Sequence, residues 1–576
     1  MSKVNIKINN LPLEVEEGTL VIDAARMLNI DIPHMCYHPD QESKAHCRLC
    51  VVEIKGSKNL QTSCTTPVRE GMEVFTDTKK VYDAQTGILE LMLADHKQNC
   101  LACARNGNCE LQALCRRFNL LRPELPDISS DEPLRVDNPS IVKDPAKCVK
   151  CGRCVKACQE LHGLDCLTAA YRGARYKVTT AFDLPMFDTD CILCGQCSLV
   201  CPVGAIVEKD DTQGVWRAIH DPSKHVIVQV APAVRVALGD EFGMEPGELV
   251  TGKMVTAMRM LGFDKVFDTN FTADLTIMEE GSELLERIQN GGKLPLITSC
   301  SPGWVNYVEK HHPELMDHLS TAKSPQQMFG AVSKTYYAEK MGLDPKDVVT
   351  VSVMPCTAKK YEAKRPEMGR DGYRDVDHVL TTREIAKLIR YEGVDMVNVP
   401  ESDFDSPLGT GTGAGAIFGT TGGVMEAALR TAYEVYTGKT LPRLEFTEVR
   451  GFEGIKEATI DLDGTPVKVA VAHTLKKAEE LLKHAEDYAF IEIMACPGGC
   501  IGGGGQPIGT TNEVRRKRIQ ALYELDKSLP LRKSHENPEI LAIYKDFFGR
   551  PLSAKAHELL HTHYHQQKTI SKPDRS

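Results

Sequence analysis

The chain has 576 residues, a formal net charge of −10 and 42% hydrophobic residues. A single core rarely grows beyond about 250–300 residues, so we expect several soluble, globular domains. The acidic balance argues against nucleic acid as a partner, because domains that bind it are usually basic. No apolar run reaches the roughly 18 residues of a membrane span, and the start, MSKVNIKINN, lacks the apolar core of an export signal. We therefore expect a cytoplasmic protein.

Cysteine is the most informative residue type, with 21 copies. Without an export signal, a disulfide framework is not expected. Nineteen of the cysteines lie in clusters with metal-ligand spacing or in loops after predicted strands. Only Cys115 and Cys166 stand outside these groups, and we interpret both as packed thiols.

Residues 1–80 begin with alternating apolar residues that predict a hairpin, Val4–Ile8 with Leu11–Val15, and then a helix near Leu20–Leu28. Four cysteines follow, separated by ten, two and thirteen residues: Cys36, Cys47, Cys50 and Cys64. A close C-x-x-C with two outlying cysteines is typical of plant-type ferredoxins, although the first gap is longer than theirs. We interpret the set as ligands of one 2Fe–2S cluster. The alternative is a four-cysteine zinc site, for which short paired knuckles are more usual.

Residues 81–125 are rich in helix signals and combine one histidine with three cysteines: His96, Cys100, Cys103 and Cys109. The histidine precedes a C-x-x-C by one helical turn, so both side chains can face one point. Spacing alone favours zinc held by three cysteines and one histidine.

Residues 126–210 contain the run C-x2-C-x2-C-x3-C twice. In this bacterial ferredoxin pattern the fourth cysteine of each run ligates the other cluster. We therefore predict two 4Fe–4S clusters, one held by Cys148, Cys151, Cys154 and Cys201, the other by Cys191, Cys194, Cys197 and Cys158. Clusters in series imply that electrons travel between a docking surface and a deeper reaction site.

Residues 211–510 contain four apolar runs that predict buried strands. The runs are His225–Val230, Leu296–Ile297, Val348–Val353 and Ala489–Ile493. The last three each lead into a loop with cysteine, and the first leads into Ala231-Pro232. The carboxyl ends of strands carry the sites of open α/β sheets. We expect sulfur ligands to converge there on one buried centre of a soft metal, for which thiolates select iron–sulfur, zinc or Cu(I).

Two glycine-rich runs accompany these loops. The run between Gly409 and Gly423 fits neither G-x-G-x-x-G nor G-x-x-x-x-G-K-[ST], so we predict tight turns and close backbone approach rather than a nucleotide site. In the run Gly502–Gly505 we expect backbone N–H groups to crowd near metal-bound sulfur.

The cysteine loops carry three motifs that resemble those of the iron-only (FeFe) hydrogenases, TSCCPxW, MPCxxKxxE and ExMACxxGCxxGGGxP. The second motif is intact at 354–362 and the third at 492–507. The first stands as TSCSPGW at 298–304, with serine where the family has its second cysteine. The resemblance extends along the whole chain.

The resemblance implies an α/β catalytic domain with an H-cluster at the carboxyl ends of its strands, preceded by ferredoxin-like α+β iron–sulfur domains. The H-cluster is a 4Fe–4S cubane joined through one cysteine to a di-iron subcluster with CO, CN and a bridging dithiolate. It catalyses the reversible conversion of two protons and two electrons to H2. By position, Cys500 is the bridging ligand, and Cys356 and Cys496 bind the cubane.

The resemblance also implies a 4Fe–4S cluster with one histidine ligand at residues 81–125, a segment that is similar to the large iron–sulfur subunit of respiratory complex I as well. The chain would then hold one 2Fe–2S cluster and three accessory 4Fe–4S clusters, besides the H-cluster.

Further roles follow from the same resemblance. Lys359 stands where a cation lies beside a cyanide ligand, and four residues match pocket positions around the diatomic ligands: Met354, Met494, Pro232 and Gln326. The implied proton relay is Cys300, Glu280, Ser320 and Glu283. Without the resemblance, two glutamates three residues apart favour an ordinary solvated helix face.

The serine in the first motif leaves two alternatives open. Register gives Cys300 the role of proton carrier and Ser301 that of fourth cubane ligand, although a serine oxygen is a harder ligand than a thiolate. Alternatively, Cys300 shifts into ligation, and the serine or a water passes protons.

Residues 511–576 resemble the small subunit of two-chain members of the family, with helices predicted at Val514–Leu525 and Glu536–Phe548. The segment also carries four closely spaced histidines, interpreted as a solvated helix end rather than a metal patch: His557, His561, His563 and His565.

Three functional hypotheses follow. The first is a hydrogenase that exchanges electrons with ferredoxin or another redox carrier. The second is the hydrogen-activating subunit of an NAD(P)-linked complex, which needs a flavoprotein partner because this chain has no dinucleotide motif. The third is a non-catalytic sensor or iron–sulfur assembly protein. The first two also require maturation proteins, since no protein residue supplies CO or cyanide.

Overall fold

The structure is a computed structural model that describes residues 2–120, 124–462 and 464–567. Parts of two predicted segments lie outside the described residues. These are 121–123 in the segment 81–125 and 568–576 in the segment 511–576. No helix in the described part of the chain is both long and apolar enough to cross a bilayer.

The N-terminal domain is a five-stranded mixed sheet with one helix. The predicted hairpin is confirmed: Val4 pairs with Val15 and Ile6 with Leu13, so the buried residues of the first strand share one face. Its elements are β1 (Lys3–Ile8), β2 (Leu11–Glu16), α1 (Val21–Met27), β3 (Val51–Ile54), β4 (Gln61–Thr62) and β5 (Glu73–Phe75). The strands are ordered β2-β1-β5-β3-β4.

Two smaller regions follow, up to about residue 125 and up to about residue 210. The first contains helices, and the second contains short helices and short strands. Their elements are α2 (Lys79–Ala94), α3 (Glu110–Arg117), β6 (Ile141–Lys143), α4 (Arg153–His162), β7 (Thr168–Ala170), β8 (Lys177–Thr179), α5 (Gln196–Leu199) and β9 (Ile206–Glu208). Strand β6 pairs with β9 and β7 with β8, both antiparallel. Helices α4 and α5 each start after a left-handed glycine, Gly152 and Gly195, just inside the two cysteine runs.

The predicted catalytic region, residues 211–510, contains two four-stranded sheets. The first half of its elements is α6 (Thr212–Ile219), β10 (His225–Val230), α7 (Thr251–Met260), β11 (Lys265–Asp268), α8 (Thr269–Asn290), β12 (Leu296–Ile297), α9 (Pro302–His311), α10 (Pro325–Val332), α11 (Ala338–Met341), β13 (Val348–Met354) and α12 (Ala358–Glu362). The second half is β14 (Gly369–Arg370), β15 (Tyr373–Arg374), β16 (His378–Thr381), α13 (Thr382–Tyr391), α14 (Gly413–Ile417), α15 (Gly423–Thr437), β17 (Lys456–Leu462), β18 (Thr465–His473), α16 (Leu475–Leu482) and β19 (Phe490–Met494).

All four predicted strands are present, and they divide between the two sheets. One sheet has the order β11-β10-β13-β16 and is parallel throughout. The other has the order β12-β19-β18-β17, with only β17 antiparallel. Strand β19 is buried at every residue, as expected for a parallel strand covered on both faces. Each sheet therefore contributes two of the four predicted strands, and the three that precede the motif loops are β13 from the first sheet and β12 and β19 from the second.

Close backbone approach explains the glycine-rich runs, as predicted. A Cβ at Gly411 would lie 2.3 Å from the Cβ of Asn270, and one at Gly503 would lie 2.0 Å from the carbonyl oxygen of Pro355. A larger residue at Gly411 would collide with helix α8, and one at Gly503 would collide with the loop that carries Cys356.

The C-terminal segment packs on the catalytic region through α17 (Asn512–Ser528), α18 (Pro538–Ile543) and α19 (Ala554–Leu560). Both predicted helices are present, the second continuing as a π-helical turn over Tyr544–Phe548. A fully buried ion pair joins the two regions, since Arg430 of α15 donates to both oxygens of Asp526 at 2.9 Å. Breaking such a pair costs about 3–5 kcal/mol, because it leaves a charge unpaired out of water.

Candidate active site

The predicted ligands of the 2Fe–2S cluster lie together in the N-terminal domain. The thiol of Cys36 is in hydrogen-bond contact with those of Cys47 and Cys64, and Cys50 with Cys64. No three of these four sulfurs lie within 4.8 Å of one another, a spacing that among the described residues only Glu434, His535 and Glu536 reach. The sulfurs are therefore more widely spaced than the ligands of a single zinc ion. That spacing fits a cluster with more than one metal atom.

The predicted histidine ligand is held in one tautomer. Nδ1 of His96 lies 3.0 Å from the carbonyl oxygen of Lys147, so Nδ1 carries the proton and Nε2 is left as a lone-pair donor. Burial lowers the pKa of His96, which keeps the imidazole neutral. Nearby residues enclose a cavity of about 340 Å³ that is lined by His96, Cys100, Cys103, Cys109 and Cys115.

The fourth cysteine of each ferredoxin-like run lies near the first three cysteines of the other run. Burial raises the pKa of Cys148, Cys151 and Cys154, and the charge of Cys201 raises it further. Cys158 acts in the same way on Cys191, Cys194 and Cys197. Cys166 is buried beside Cys158, in agreement with a packed thiol.

The second of these cysteine sets abuts the catalytic loops. A Cβ at Gly504 would lie 2.1 Å from the carbonyl oxygen of Cys194, and Gln196 donates to the carbonyl of Gly502 at 2.8 Å. The charge of Cys496 is among the causes that raise the pKa of Cys194. The accessory region and the catalytic loops thus meet through thiols on both sides.

The cysteines of the second and third motifs share one buried point. Burial raises the pKa of Cys496 and of Cys500 to about 12, and the charge of Cys356 adds to both shifts. The N–H of Gly504 donates to the Cys496 thiol, which is the kind of contact expected for the glycine run.

A salt bridge fixes the cation of the second motif. Lys359 donates to both oxygens of Glu362 at 3.0 and 2.9 Å and to the carbonyl of Cys300 at 3.1 Å. The amide nitrogen of Gln326 binds the same carboxylate at 3.0 Å, while its oxygen is buried with no hydrogen-bond partner among the described residues. A buried unpaired amide oxygen beside the motif loops is an acceptor available to a bound group.

The other predicted pocket residues lie at strand ends. Met354 ends β13 and Met494 ends β19, and both are 3% exposed. Pro232 is the second residue after β10, following Ala231, and is also buried. Burial and thioether chemistry suit both methionines to packing around an apolar group.

Cys300 and Ser301 face different neighbours. Burial, followed by the charge of Glu280, raises the pKa of the Cys300 thiol well above its usual range. The hydroxyl of Ser301 instead accepts the N–H of Ala495 at 3.3 Å, next to Cys496. Cys300 thus lies near both Glu280 and Cys500, and Ser301 is held beside the loop that carries Cys496.

The predicted relay residues lie close together. The hydroxyl of Ser320 donates to Glu283 at 3.0 Å, and it lies beside Glu280, whose Oε2 is buried with no hydrogen-bond partner among the described residues. Glu280 is 1% exposed and Glu283 8%, so the two do not form the solvated helix face that their spacing alone favours. Burial raises the pKa of Glu280 to about 8, and the charges of Glu283 and Glu492 contribute to the rise.

Three neighbours were missed by sequence reasoning. Arg287, one helical turn after Glu283 on α8, donates to its carboxylate at 2.7 Å. Glu492 belongs to the third motif, so the sequence did contain its signal; its carboxylate accepts the N–H groups of Gly422 and Met425. His162 lies with Nε2 3.4 Å from the sulfur of Cys194, and no local pattern marked it.

The donor sets fit iron–sulfur groups. All 21 cysteines are free thiols, and every one is buried or half-buried. A buried thiolate is costly without a compensating cation, and sulfur donors select soft metals. The arrangement can therefore hold metal clusters and, beside the innermost set, a chain of groups that exchange protons.

Comparison with protein families matches nearly the whole chain. Residues 224–504 match the iron only hydrogenase large subunit, C-terminal domain, and 512–567 match the iron hydrogenase small subunit. The N-terminal matches are a 2Fe-2S iron-sulfur cluster binding domain at 1–79, an NADH-ubiquinone oxidoreductase-G iron-sulfur binding region at 85–123 and a ferredoxin-like domain of NADH-quinone oxidoreductase subunit 3 at 138–207.

Individual relatives agree with these matches. The chain is 49% identical to the NADP-reducing hydrogenase subunit HndD of Solidesulfovibrio fructosivorans, over 99% of this chain and 100% of the relative. It is 42% identical to iron hydrogenase 1 of Clostridium pasteurianum, over 97% and 99%. A solved structure of [FeFe]-hydrogenase HydA1 from Chlamydomonas reinhardtii, 46% identical, covers 62% of this chain and 99% of its own with a TM-score of 0.56.

The resemblance drawn from the three motifs is thus confirmed along the full length. The fold is that of the FeFe hydrogenase catalytic domain, preceded by 2Fe-2S and ferredoxin-like 4Fe-4S domains. This chain belongs to the FeFe hydrogenase large-subunit family and is an enzyme of hydrogen oxidation and evolution.

Proposed function

We propose that the chain interconverts H2 with two protons and two electrons at an H-cluster bound by Cys356, Cys496 and Cys500. The observation that carries this proposal is that three thiols from two different sheets share one buried point beside the Lys359–Glu362 pair. When bound, the H-cluster supplies the redox chemistry that splits H2 heterolytically. The chain's own residues anchor it, exclude water and move protons.

Electrons reach this site through the N-terminal domains, with one 2Fe–2S cluster in residues 1–80, a histidine-ligated 4Fe–4S cluster in 81–125 and two 4Fe–4S clusters in 126–210. The contact of Gly504 with Cys194 supports the cluster of Cys191, Cys194, Cys197 and Cys158 as the one next to the catalytic domain, 211–510. The described part of the C-terminal segment, 511–567, packs on that domain.

Protons follow the relay Cys300, Glu280, Ser320 and Glu283, with Arg287 at its outer end. Ser320 donates to Glu283 and lies beside Glu280, so its hydroxyl can accept a proton from one carboxyl group and pass its own to the other. A carboxyl group with a pKa near 8 is protonated at neutral pH yet close enough to it to release the proton, which suits general acid–base work.

Infrared spectroscopy of the purified protein, matured by its maturation enzymes, tests the function. We expect bands of metal-bound CO and CN, together with H2 evolution from reduced viologen. A protein that carries its accessory iron but shows neither the bands nor gas would instead support the non-catalytic alternative.

The relay predicts a pH profile and a loss on substitution. Above pH 8, Glu280 is increasingly ionised and has no proton to deliver, so the H2 evolution rate should fall as pH rises through about 8.

Glu280→Gln, which cannot release a proton, should lower evolution by about 10²-fold or more. Glu286→Gln is the matched control, an exposed glutamate on the same helix, and should leave the rate unchanged. An active Glu280→Gln enzyme would rule this relay out.

For the first motif, we propose that Ser301 completes the cubane and that Cys300 carries protons, because Ser301 is bonded to the backbone next to Cys496 and Cys300 lies near Glu280. Cys300→Ala should then keep the electron paramagnetic resonance signal of the cubane while losing turnover. Ser301→Ala should change that signal. If Cys300→Ala loses the cubane instead, Cys300 is the ligand and the assignment is reversed.

For the electron partner, we propose a second candidate beside ferredoxin, namely a flavoprotein subunit that reduces NAD(P)+. Similarity over the full length of a subunit of an NADP-reducing hydrogenase favours it. The isolated chain should then reduce viologen with H2 but not NADP+, and a flavoprotein should co-purify from the native source. Rapid ferredoxin reduction by the chain alone, with no flavoprotein retained, would favour the first candidate.

A further inference from the structure

Helix α8 carries a buried carboxylate, Glu279, that the relay does not use. Glu279 is 0% exposed and is bonded to the C-terminal segment. It accepts hydrogen bonds from the hydroxyl of Tyr544 and from the N–H of Leu552 at 2.9 Å, and it lies 3.0 Å from Nε2 of His561. The C-terminal segment is therefore bonded to helix α8 at Glu279, the residue next to Glu280.

His561 joins this carboxylate to the relay segment. Because Nε2 faces a carboxylate, which only accepts, Nε2 carries a proton and donates it to Glu279. Nδ1 lies 2.8 Å from the hydroxyl of Thr321. Thr321 in turn donates its backbone N–H to Glu283, at 3.1 Å to the nearer oxygen.

The backbone around Thr321 is held by the same segment. The N–H of Thr562 donates to the carbonyl of Thr321, and the N–H of Lys323 to the carbonyl of Leu560, both at 2.8 Å. The hydroxyl of Tyr564 donates to the carbonyl of Ser320 at 2.7 Å. Residues 560–564 thus form an added edge along 320–323, the segment that presents the relay hydroxyl.

We propose that this edge is the outer wall of the proton relay and that His561 is its positioning residue, holding Thr321 so that Ser320 and Glu283 stay aligned with Glu280. The inference rests on the proposed relay and extends it to the small-subunit-like segment. It also corrects the interpretation of the four histidines as a solvated helix end, because His561 is buried, whereas His557, His563 and His565 are exposed.

His561 positions the relay and does not conduct protons. The contact between Glu283 and Thr321 runs through an amide N–H, and the hydroxyl that meets His561 is a separate group of the same residue. An amide does not give up its proton under these conditions, so the path is interrupted there. The route outward leaves from Glu283 itself, whose side chain is 10% exposed beside that of Arg287, which is 14% exposed.

The test compares two histidines of the same segment. His561→Ala removes both contacts. His557→Ala is the matched control, because His557 is exposed one turn earlier with its ring centroid 4.3 Å from that of His561. We expect His561→Ala to lower kcat for H2 evolution about tenfold, part of the 10²–10⁴ that proton handling contributes. The KM for the viologen should not change, and the solvent isotope effect should increase. The control should match the wild type.

Three further variants separate positioning from stability. Thr321→Val keeps the N–H that binds Glu283 but removes the hydroxyl, leaves Glu279 untouched, and should reproduce the loss of His561→Ala. The double variant should lose no more than either single one, since both break one linkage. His561→Asn, whose amide can meet the Thr321 hydroxyl, should recover part of the rate. Additive losses with an unchanged isotope effect would mean a general loss of stability and overturn the proposal.

Infrared difference spectra give a readout that is independent of turnover. The carbonyl stretch of a protonated relay carboxyl, identified by its absence in Glu280→Gln, should shift in both His561→Ala and Thr321→Val. If the His561→Ala protein loses iron, Thr321→Val decides alone. Wild-type rates and bands in both variants, with Glu280→Gln inactive, would refute the positioning role while leaving the relay intact. An active Glu280→Gln enzyme would refute the relay itself.

Discussion

The thiols of Cys356, Cys496 and Cys500 are removed from water at one point, and a thiolate there is unfavourable until a cation offsets its charge. Most of the surrounding structure answers this constraint. Strands β13 and β19, from different sheets, end in the loops that carry these thiols, and glycines let the loops pack against each other without side chains between them. Because burial disfavours an unpaired thiolate, binding of a soft-metal cluster at these thiols would also stabilise the fold.

The same constraint extends to the groups that handle protons. A sealed site has no bulk water to deliver protons, so carriers must be built from the chain. Helix α8 supplies Glu280 and Glu283, and the turn after Leu319 supplies the hydroxyl between them. Burial shifts the pKa of Glu280 upward into the range where a carboxyl can both hold and release a proton near neutral pH. The C-terminal segment closes the outer side, through Glu279, Thr321 and the backbone beside Ser320.

Local spacing predicted much of this arrangement, because ligands of one cluster lie close in sequence and hydrophobic runs mark buried strands. The strand predicted at His225–Val230 is present, and Cys158 and Cys201 each lie near the cysteines of the other run. The contacts that sequence reasoning missed are long-range. His561 lies 282 residues from Glu279, and its spacing from His557 looks like an exposed helix face. Likewise, Glu280 and Glu283 have the spacing of a surface pair, and only tertiary burial distinguishes them. The division of the four strands between two sheets also depends on pairings that no local pattern encodes.

Diffraction from crystals of the matured protein at the iron absorption edge tests the central claim most directly, since it locates iron without assuming any activity. The account predicts anomalous density at the four N-terminal cysteine sets, a further cluster among Cys356, Cys496 and Cys500, and additional iron beyond Cys500 toward Met354 and Met494. Iron confined to the first 210 residues, with the loops after β12, β13 and β19 closed on one another, would contradict it.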